Sequence, residues 1–571
     1  MTTPWEEIET DVLILGAGGA GLLAAMHLRR KQPSLRVTVV VKGLLGQSGC
    51  TRMVQGGYNA VLNPADSLQH HYEDTIRGGG FLNHQELAWK LVEEAPKRIV
   101  ELENTAGCLF DRNADGSIHQ KAFAGQSFDR TVHKGDLTGI EIMSNLRDWI
   151  LANPEIRVLQ ECRGLDLLVD SGRVHGALLL QIHTGKMIAA RSRAVLLATG
   201  GGARMYRISS PSLEKSGDGM AMGQRAGAQF VDMEMLQFHP TGLLVGGSTA
   251  TGGLLEEGLR GAGAYLFNGL GERFMERYDP QKMERATRDV ISRSSFLEIM
   301  AGRGTPAGGV HIDVTHLGEE FVAKNFPGMV ERCRDYGFDL LRERVEVSPS
   351  AHYQMGGMVI DPECRTTVEG LFAAGEDAGG VHGANRLGGN GVADSIVFGG
   401  VAGDCIPHHL LPSRPAIRAH VDELCQRWTV PIQRIEGGSV FPLRRRLEDL
   451  LWDKVGVVRN GPALEEAVHA LQGLEDELDT VKAPGNAASN PAWNEILGLR
   501  NTLLVARMVA ESALLRTESR GAHYRQDYPG PDPAWLKNIF LNPRGGHLRP
   551  STQPVAFTRL RPPEMPNAKP V

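Results

Sequence analysis

A short glycine-rich stretch, His382 to Asn390, carries a histidine and an arginine four residues apart. Glycine lets the backbone approach a ligand closely, and the planar guanidinium of Arg386 matches a carboxylate or a phosphate with two parallel hydrogen bonds. The stretch therefore favours an anion-binding segment. Taken alone, the stretch is equally typical of a glycine-rich turn that carries one surface arginine. The rest of the chain must therefore distinguish an anion-binding segment from such a turn.

The N-terminal residues predict a nucleotide-binding βαβ unit. An apolar strand over residues 11–15 leads directly into a glycine motif, a helix is expected over 22–30, and a second apolar strand over 36–41. In this context a G-x-G-x-x-G motif makes a tight turn, lets a pyrophosphate approach the backbone, and packs the helix closely. The diphosphate would lie on the helix N-terminus. The glycines concerned are Gly16, Gly18, Gly19 and Gly21.

The end of the second strand leaves the identity of the dinucleotide open. An acidic residue is expected there to bind a ribose, and this chain has Lys42 instead. Two later apolar segments, 194–201 and 371–376, have the form of strands that return to the nucleotide domain of FAD enzymes. Glu376, at the end of such a strand, could accept hydrogen bonds from ribityl hydroxyls or be a carboxylate near a helix N-terminus.

The composition limits the class of protein. The chain has 571 residues, which indicates more than one domain, and its net charge of −6 without a long basic run argues against nucleic-acid binding. Seven cysteines without a Cys-x-x-Cys pair argue against a disulfide framework, a metal site or cysteine-ligated clusters within the chain. No apolar run reaches the ~18 residues of a membrane span, and the glutamate-rich first ten residues do not form a secretory signal. A cytoplasmic location is expected.

Many short motifs follow one another in order, and together they resemble the flavoprotein subunit of succinate dehydrogenase and fumarate reductase. They are Gln55-Gly-Gly57, Gly125-Gln-Ser127, Ser216-Gly-Asp-Gly219, Gln237-Phe-His-Pro-Thr-Gly242, Glu257-Gly-x-Arg-Gly261, Gly271-Glu-Arg-Phe-Met-Glu-Arg277, Thr287-Arg-Asp289, His352-Tyr-x-Met-Gly-Gly357, His382 to Asn390, Trp452 to Arg459 and Glu518 to Arg525. One such motif would support the resemblance weakly. This many motifs, in the family's order and along almost the whole chain, support it strongly.

The resemblance implies an α/β architecture of four parts. A Rossmann-like FAD-binding domain would be discontinuous, with an inserted α+β capping domain, a C-terminal helical domain and an extended tail. Their expected ranges are 1–235 with 355–410, 236–354, 430–530 and 531–571. Helical apolar periodicity over 464–478 and 492–515 independently supports the helical domain.

The resemblance also implies the chemistry. Hydride would pass between flavin N5 and one alkene carbon of fumarate, and a proton would pass to the other carbon. His352 and Arg386 would hold one carboxylate of the substrate and His239 the other. Arg288 would be the proton donor, with Glu257 and Arg260 as its relay; these two are three residues apart and would face each other in a helical turn.

The FAD site implied by the resemblance contains one departure. Relatives often tie FAD to a histidine five residues before Gln-Gly-Gly, and that position is Cys50 here. We therefore expect FAD to be held non-covalently, with a cysteinyl thioether as the alternative, and we expect fumarate reduction to be favoured over succinate oxidation. The remaining expected cofactor-binding residues are Thr51, Gln55, Gly56, Gly57, Asp218 and Asn390.

A second departure concerns the substrate. The family has a threonine that helps bind a substrate carboxylate, and this chain has Glu256 there. A carboxylate close to a dianion is unfavourable at low dielectric unless it is protonated or paired. Either Glu256 turns onto Arg260 or another cation and fumarate still binds, or the substrate is a different enoate.

Two other interpretations remain. A soluble L-aspartate oxidase shares this fold, but its Glu-Gly-Gly-His-Ser-like segment is replaced here by Ala124 to Arg130. A catalytically silent electron-transfer subunit would lack some of the four substrate-site side chains, and all four are present. For an active subunit, the expected partners are an iron–sulfur protein subunit and a membrane-anchor or other electron-donor subunit. Such partners would place the chain peripherally on the inner face of the cytoplasmic membrane.

Overall fold

A computed structural model describes residues 5–544 and 547–563. The first four residues of the N-terminal segment and the last eight of the predicted tail lie outside the described residues. The strands are β1 Trp5–Glu9, β2 Val12–Leu15, β3 Val37–Val40, β4 Tyr58–Asn59, β5 Gln120–Lys121, β6 Thr131–Val132, β7 Ile156–Leu159, β8 Cys162–Asp170, β9 Arg173–Gln181, β10 Lys186–Arg191, β11 Ala194–Leu197, β12 Phe230–Val231, β13 Leu236–Leu243, β14 Tyr265–Phe267, β15 Val310–Asp313, β16 Val345–Gln354, β17 Gly357–Met358, β18 Leu371–Ala373, β19 Lys537–Arg544 and β20 His547–Pro554.

The helices are α1 Gly19–Lys31, α2 Leu68–Gly78, α3 Gln85–Glu101, α4 Thr138–Leu151, α5 Asp218–Arg225, α6 Glu257–Gly261, α7 Met275–Tyr278, α8 Arg288–Glu298, α9 Glu319–Asn325, α10 Pro327–Asp335, α11 Asn390–Cys405, α12 Arg418–Gln433, α13 Val440–Lys454, α14 Gly461–Leu478 and α15 Pro491–Leu515. No helix within the described residues is both long and apolar enough to cross a bilayer.

A parallel sheet forms the centre of the fold, with strand order β18-β11-β2-β3-β7. Every neighbouring pair in it is parallel. Its strands are continuous apolar runs because both faces are covered, as parallel sheets require. The predicted strands over 11–15, 36–41, 194–201 and 371–376 are confirmed as β2, β3, β11 and β18, and the α/β fold class is confirmed with them.

The segment between β12 and β17 forms a different kind of sheet with its own core. Strands β13, β16, β15 and β14 pair antiparallel, and helices α6 to α10 lie between them in sequence. A separate cluster of buried apolar side chains lies entirely within residues 243–347. This segment is therefore an α+β unit inserted between β11 and β18 of the parallel sheet.

The C-terminal part is helical and then extended. Helices α13, α14 and α15 pack on one another, and α14 and α15 confirm the predicted helices over 464–478 and 492–515. The tail then returns as a hairpin, in which β19 pairs with both β20 and β12. The tail residues that the structure describes therefore complete a four-stranded sheet with β12 and β17.

A buried charge network ties α1 to α3 and α11. His27 is almost fully buried, and its Nδ1 lies 2.7 Å from Asp404 Oδ1 while its Nε2 lies 2.9 Å from Glu101 Oε2. Burial opposes a charged imidazolium, but the two carboxylates outweigh burial and raise the pKa of His27. The folded protein therefore holds this proton more tightly than an unfolded chain does.

This network predicts a pH-dependent contribution to stability. An unfolded histidine has a pKa of about 6.5, so the stabilisation is fully present below that pH and is lost as pH rises through the higher folded pKa. We expect the thermal midpoint of His27→Gln to fall below the parent's at about pH 6, and the deficit to shrink towards about pH 9. His183→Gln, at an exposed histidine, is the control. A deficit that stays constant or grows with pH would contradict the prediction.

Candidate active site

One large cavity, of about 610 Å³, opens between the parallel sheet and the inserted unit. This volume is in the range of small-molecule and cofactor sites. Its lining contains two groups of side chains that the sequence predicted separately. The dinucleotide group comprises Gly16, Gly18, Gly19, Lys42, Cys50, Thr51, Gln55, Gly56, Gly57, Asp218 and Glu376, and the substrate group comprises His239, Glu256, Glu257, Arg288, His352 and Arg386.

The glycine loop forms the turn that the motif predicts. Gly16 has φ +112°, and a Cβ atom there would lie 2.0 Å from the carbonyl oxygen of Ala198. A Cβ on Gly21 would lie 1.9 Å from the carbonyl oxygen of Gly16, so Gly21 serves the packing of α1 rather than the cavity. Helix α1 starts after Gly18 with no acidic residue in its first turn. Its N-terminus is therefore available for a diphosphate.

Gly16→Ala is expected to lower the FAD content of the purified protein by at least about tenfold, because the substitution combines an unfavourable φ with a backbone overlap. Gly49→Ala is the matched control. Gly49 also lines the cavity and has φ +85°, but a Cβ there meets nothing within 4 Å. Flavin absorbance per protein is the measurement. Equal FAD loss in both variants would mean that φ strain, and not the overlap with Ala198, is responsible.

Lys42 lies where an acidic residue was expected, and it is bonded into a buried polar cluster. Its Nζ donates to Glu214 O at 2.8 Å, to Ser216 Oγ at 2.9 Å and to Asp218 Oδ2 at 3.1 Å. Burial and then the nearby cation of Arg163 lower the pKa of Lys42 to about 8. Arg163 also contacts Asp218 at 2.9 Å. Donors therefore converge at the end of β3, where a nucleotide ribose would lie.

The loop after β3 brings three further predicted residues to the cavity. Thr51 Oγ1 accepts the hydrogen bond of the Gly19 N–H at 3.1 Å, and Gln55 Nε2 donates to Leu254 O of the inserted unit at 2.8 Å. Gly57 has φ +141°, and a Cβ there would lie 2.1 Å from Val132 O. This loop therefore connects α1 to the inserted unit along the cavity wall.

Two predicted cofactor residues have different surroundings. Glu376 faces the cavity, where its Oε1 accepts the Gln354 N–H at 2.9 Å and its Oε2 lies 2.5 Å from Lys215 Nζ. Asn390 is fully buried and does not line the cavity. Its side chain bonds Asn59, His71 and Thr75, so any contact of Asn390 with a cofactor would have to come from its backbone at the start of α11.

These residues fit FAD. The open helix N-terminus suits a diphosphate, the glycines leave room for close backbone approach, and buried hydrogen-bonding groups line the remaining length of the cavity.

Two arginines from different parts of the chain meet in the substrate group. Arg288 begins α8, and Arg386 follows β18 in the glycine-rich stretch; Gln237 Oε1 accepts from Arg288 Nη1 and from Arg386 Nη2, at 3.1 Å each. The Arg386 guanidinium also lies over the ring of Tyr353, 4.3 Å from its centre. Both arginines are buried, and a planar fork in this position is suited to a carboxylate.

Two histidines lie beside the arginines. The rings of His239 on β13 and His352 on β16 are 5.4 Å apart. Burial first, and then neighbouring cations that include Arg288 and Arg386, hold the pKa of each histidine well below its ordinary value. Both side chains are therefore neutral at pH 7, and each can donate or accept a hydrogen bond without adding charge.

Glu257 connects Arg288 to Arg260. Glu257 Oε2 lies 2.7 Å from Arg288 Nε and 2.6 Å from Arg288 Nη2, whereas its Oε1 lies 3.6 Å from Arg260 Nη2. Burial would raise the pKa of Glu257, but Arg288 and Arg260 outweigh burial and lower it. Arg260 does not line the cavity; it lies behind Glu257 and donates to Glu284 O at 2.9 Å. The three side chains form a row that leads away from the cavity.

Glu256 turns onto a cation, and the cation is Lys121 rather than Arg260. Its Oε1 lies 3.2 Å from Lys121 Nζ on β5, and Lys121 also donates to Gly135 O at 2.7 Å. Glu256 Oε2 is buried without a hydrogen-bond partner. Burial raises the pKa of Glu256, and Lys121 offsets part of that shift.

The glycine-rich stretch contributes only part of what its sequence suggested. Arg386 reaches the cavity, but His382 lies behind Tyr353, with Nε2 3.4 Å from the Tyr353 hydroxyl. Gln237, Lys121 and Lys215 were not predicted as site residues. Gln237 begins a recognised motif and could have been singled out, whereas nothing local in the sequence marks either lysine.

Comparison with known proteins finds two family matches along the chain. Residues 11–392 match the family described as FAD binding domain, and residues 444–568 match the family described as fumarate reductase flavoprotein C-term. One subunit of the fumarate reductase (CoM/CoB) of Methanothermobacter marburgensis is 43% identical over 94% of this chain and 98% of its own. The 8-methylmenaquinol:fumarate reductase flavoprotein subunit of Wolinella succinogenes is 38% identical, with coverages of 96% and 91%.

Solved structures also superpose on almost the whole chain. A variant of quinol fumarate reductase FrdA of E. coli superposes with a TM-score of 0.93 at 32% identity, over 98% of this chain and 99% of that one. Sdh1 of Mycobacterium smegmatis superposes with a TM-score of 0.87 at 37% identity, over 98% and 96%.

Fold and site together define a flavoprotein oxidoreductase that binds FAD. The chain belongs to the family of fumarate reductase and succinate dehydrogenase flavoprotein subunits.

Proposed function

We propose that this protein interconverts fumarate and succinate, with reduction of fumarate favoured. The observation that carries the proposal is the charge of the substrate group. Four cationic side chains, Arg260, Arg288, Arg386 and Lys121, face two carboxylates, and both histidines are neutral. These side chains therefore carry more positive than negative charge, which favours a dianionic substrate such as a dicarboxylate.

The geometry supports separate roles at the two ends of the substrate. Arg386 and His352 would hold one carboxylate, with Arg386 supplying a bidentate contact from its position over Tyr353. His239 would hold the other through a neutral imidazole. Its Nδ1 lies 3.2 Å from Thr241 Oγ1, which leaves Nε2 for the substrate.

The row Arg288–Glu257–Arg260 supports proton delivery. Arg288 would donate a proton to the alkene carbon, and Glu257, in contact with two atoms of its guanidinium, would return one to it. Glu257 Oε1 and Arg260 Nη2 are both buried without a hydrogen-bond partner, so the 3.6 Å gap between them is free to close. A bound flavin, once reduced by an electron donor, would supply the hydride.

We infer that FAD is held without a covalent bond. Burial raises the pKa of the Cys50 thiol, and the cation of Lys215 offsets only part of that shift, so the nucleophilic thiolate is disfavoured. Acid precipitation is expected to release all the flavin into the supernatant and to leave a colourless pellet. Cys50→Ala should bind the same amount of FAD as the parent. A yellow pellet that Cys50→Ala abolishes would establish a thioether.

We also infer that electrons reach this chain from an iron–sulfur partner subunit. Among the described residues, no cluster of His, Cys, Asp or Glu is arranged to hold a metal. Exposed apolar side chains lie along the cavity rim, with Met53, Leu137 and Ile140 among its lining. A partner that covers this rim would shield the flavin and shorten the electron path. A membrane-anchor or other electron-donor subunit would then bind through that partner.

A second candidate function is reduction of a different enoate. The observation that favours it is the unpartnered Oε2 of buried Glu256, because such an atom is suited to a substrate that brings a hydrogen-bond donor. Glu256→Thr separates the candidates: the variant should improve fumarate turnover if Glu256 selects another substrate, and it should not if Lys121 already neutralises Glu256.

The deciding experiment is anaerobic turnover of FAD-loaded protein with reduced viologen dye. We expect dye oxidation with fumarate, and less with enoates that carry a single carboxylate. Activity on another enoate with none on fumarate would replace the first candidate by the second. A parallel reaction with L-aspartate and oxygen tests the oxidase alternative by peroxide formation.

A further inference from the structure

Two lysine–carboxylate pairs line the FAD cavity, and the pair of Lys215 with Glu376 has no role in the proposed reaction. Lys42 pairs with Asp218 at 3.1 Å, beside the end of β3. Lys215 pairs with Glu376 at 2.5 Å, and the Lys215 side chain is 4% exposed. Lys215 is next in sequence to Glu214, whose backbone oxygen binds Lys42. The Lys215 side chain nevertheless contacts Glu376 and not the Lys42 cluster.

Lys215 lies towards the reacting end of the cavity. Its Nζ is 6.0 Å from the centre of the Tyr353 ring, the same ring that supports Arg386. Its charge helps to lower the pKa of His352. Lys42 has neither neighbour, and its contacts are Glu214, Ser216 and Asp218. The two pairs therefore face different parts of one bound dinucleotide.

Lys215 stays charged although it is buried. Burial by itself lowers the pKa of a lysine, but nearby negative charge, including that of the hydrogen-bonded Glu376 carboxylate, outweighs burial and raises the pKa of Lys215 above its ordinary value. An ammonium group in a water-poor cavity acts on nearby charges more strongly than it would in solvent.

We propose that Lys215 and Glu376 set the reduction potential of the bound FAD by opposing electrostatic effects. Reduction adds electrons to the flavin, so the ammonium of Lys215 stabilises the reduced form and the carboxylate of Glu376 opposes it. Because Glu376 also holds Lys215 in place, the pair is a fixed dipole beside the cofactor. This role goes beyond the proposed function, since it holds for any substrate.

The two members of the pair should shift the potential in opposite directions. We expect Lys215→Met to lower the ratio of reduced to oxidised flavin by about tenfold at a fixed dye potential, which is about 30 mV for a two-electron couple. Glu376→Gln should raise the ratio by a similar factor, and the double variant should lie near the parent. Lys42→Met, the matched control, should weaken FAD binding while leaving the ratio within about twofold of the parent.

The readout is equilibrium of the FAD-loaded protein with reference dyes of known potential, and flavin absorbance gives the cofactor content. The result is independent of fumarate turnover, so a failure of the proposed function would not mimic a failure here. An unchanged ratio in Lys215→Met, or a shift of the same sign in both single variants, would overturn the proposal. If Lys215→Met cannot be loaded with FAD, Glu376→Gln alone tests the proposal. The ratio of reduced to oxidised flavin must then rise in Glu376→Gln, and an unchanged or lower ratio overturns the proposal.

Discussion

Arg288→Gln is expected to lower kcat for fumarate by about 10³-fold while the protein keeps its FAD. Removal of a positioned proton donor typically costs 10²- to 10⁴-fold, and here the donor also loses its contacts with Glu257. Glutamine retains hydrogen-bonding capacity towards Gln237, so the loss should fall on proton transfer more than on substrate binding. KM is therefore expected to change by less than about tenfold.

Two further variants sharpen this prediction. Arg293→Gln removes an arginine of the same helix and should keep parent-like turnover, because the Arg293 guanidinium lies over the Tyr524 ring, outside the cavity. Arg288→Lys keeps a positive charge but cannot match the two contacts to Glu257, so it should remain severely impaired. Turnover of Arg288→Gln within tenfold of the parent would show that another group supplies the proton.

Local patterns predicted the backbone of the glycine loop and the strand and helix that flank it. A glycine motif between an apolar strand and a helix constrains the backbone within a few residues, so Gly16 makes the tight turn and Gly21 packs the helix as their spacing indicated. The contact of Gly18 with a pyrophosphate stays a prediction. The parallel sheet was also predictable, since its strands are short apolar runs bounded by turns. These features depend on neighbours in sequence, which a single chain displays directly.

Contacts between distant segments escaped prediction. One of the two interpretations of Glu256 had it turn onto Arg260 or another cation, and the partner that the structure shows, Lys121, lies 135 residues away in a two-residue strand. Gln237 joins Arg288 to Arg386 only because β13 and α8 pack together with the loop after β18. The side chain of Asn390 also escaped prediction. It is buried and bonds three polar side chains away from the cavity, so it does not face a cofactor. Each outcome depends on tertiary packing, which periodicity does not encode.

Lys121→Met is expected to raise KM for fumarate by at least about tenfold, which is 1.4 kcal/mol of binding free energy. The substitution removes the only ion-pair partner that the structure describes for Glu256 and leaves a buried carboxylate at the edge of a site for a dianion. Loss of one partner from a buried pair is more costly than loss of both. The double variant Lys121→Met with Glu256→Gln should therefore bind fumarate more tightly than Lys121→Met alone.

The effect of Lys121→Met should depend on pH in a defined direction. Burial already raises the pKa of Glu256 in the parent, and loss of Lys121 removes the group that opposes this shift, so protonation becomes easier. At about pH 6 more of Glu256 is neutral than at about pH 8, and the increase in KM should be smaller at the lower pH. Lys134→Met, at an exposed lysine 3.4 Å from Asp111, should leave KM unchanged at both values. An increase in KM that is the same at both pH values would show that Lys121 acts by packing and not by neutralising Glu256.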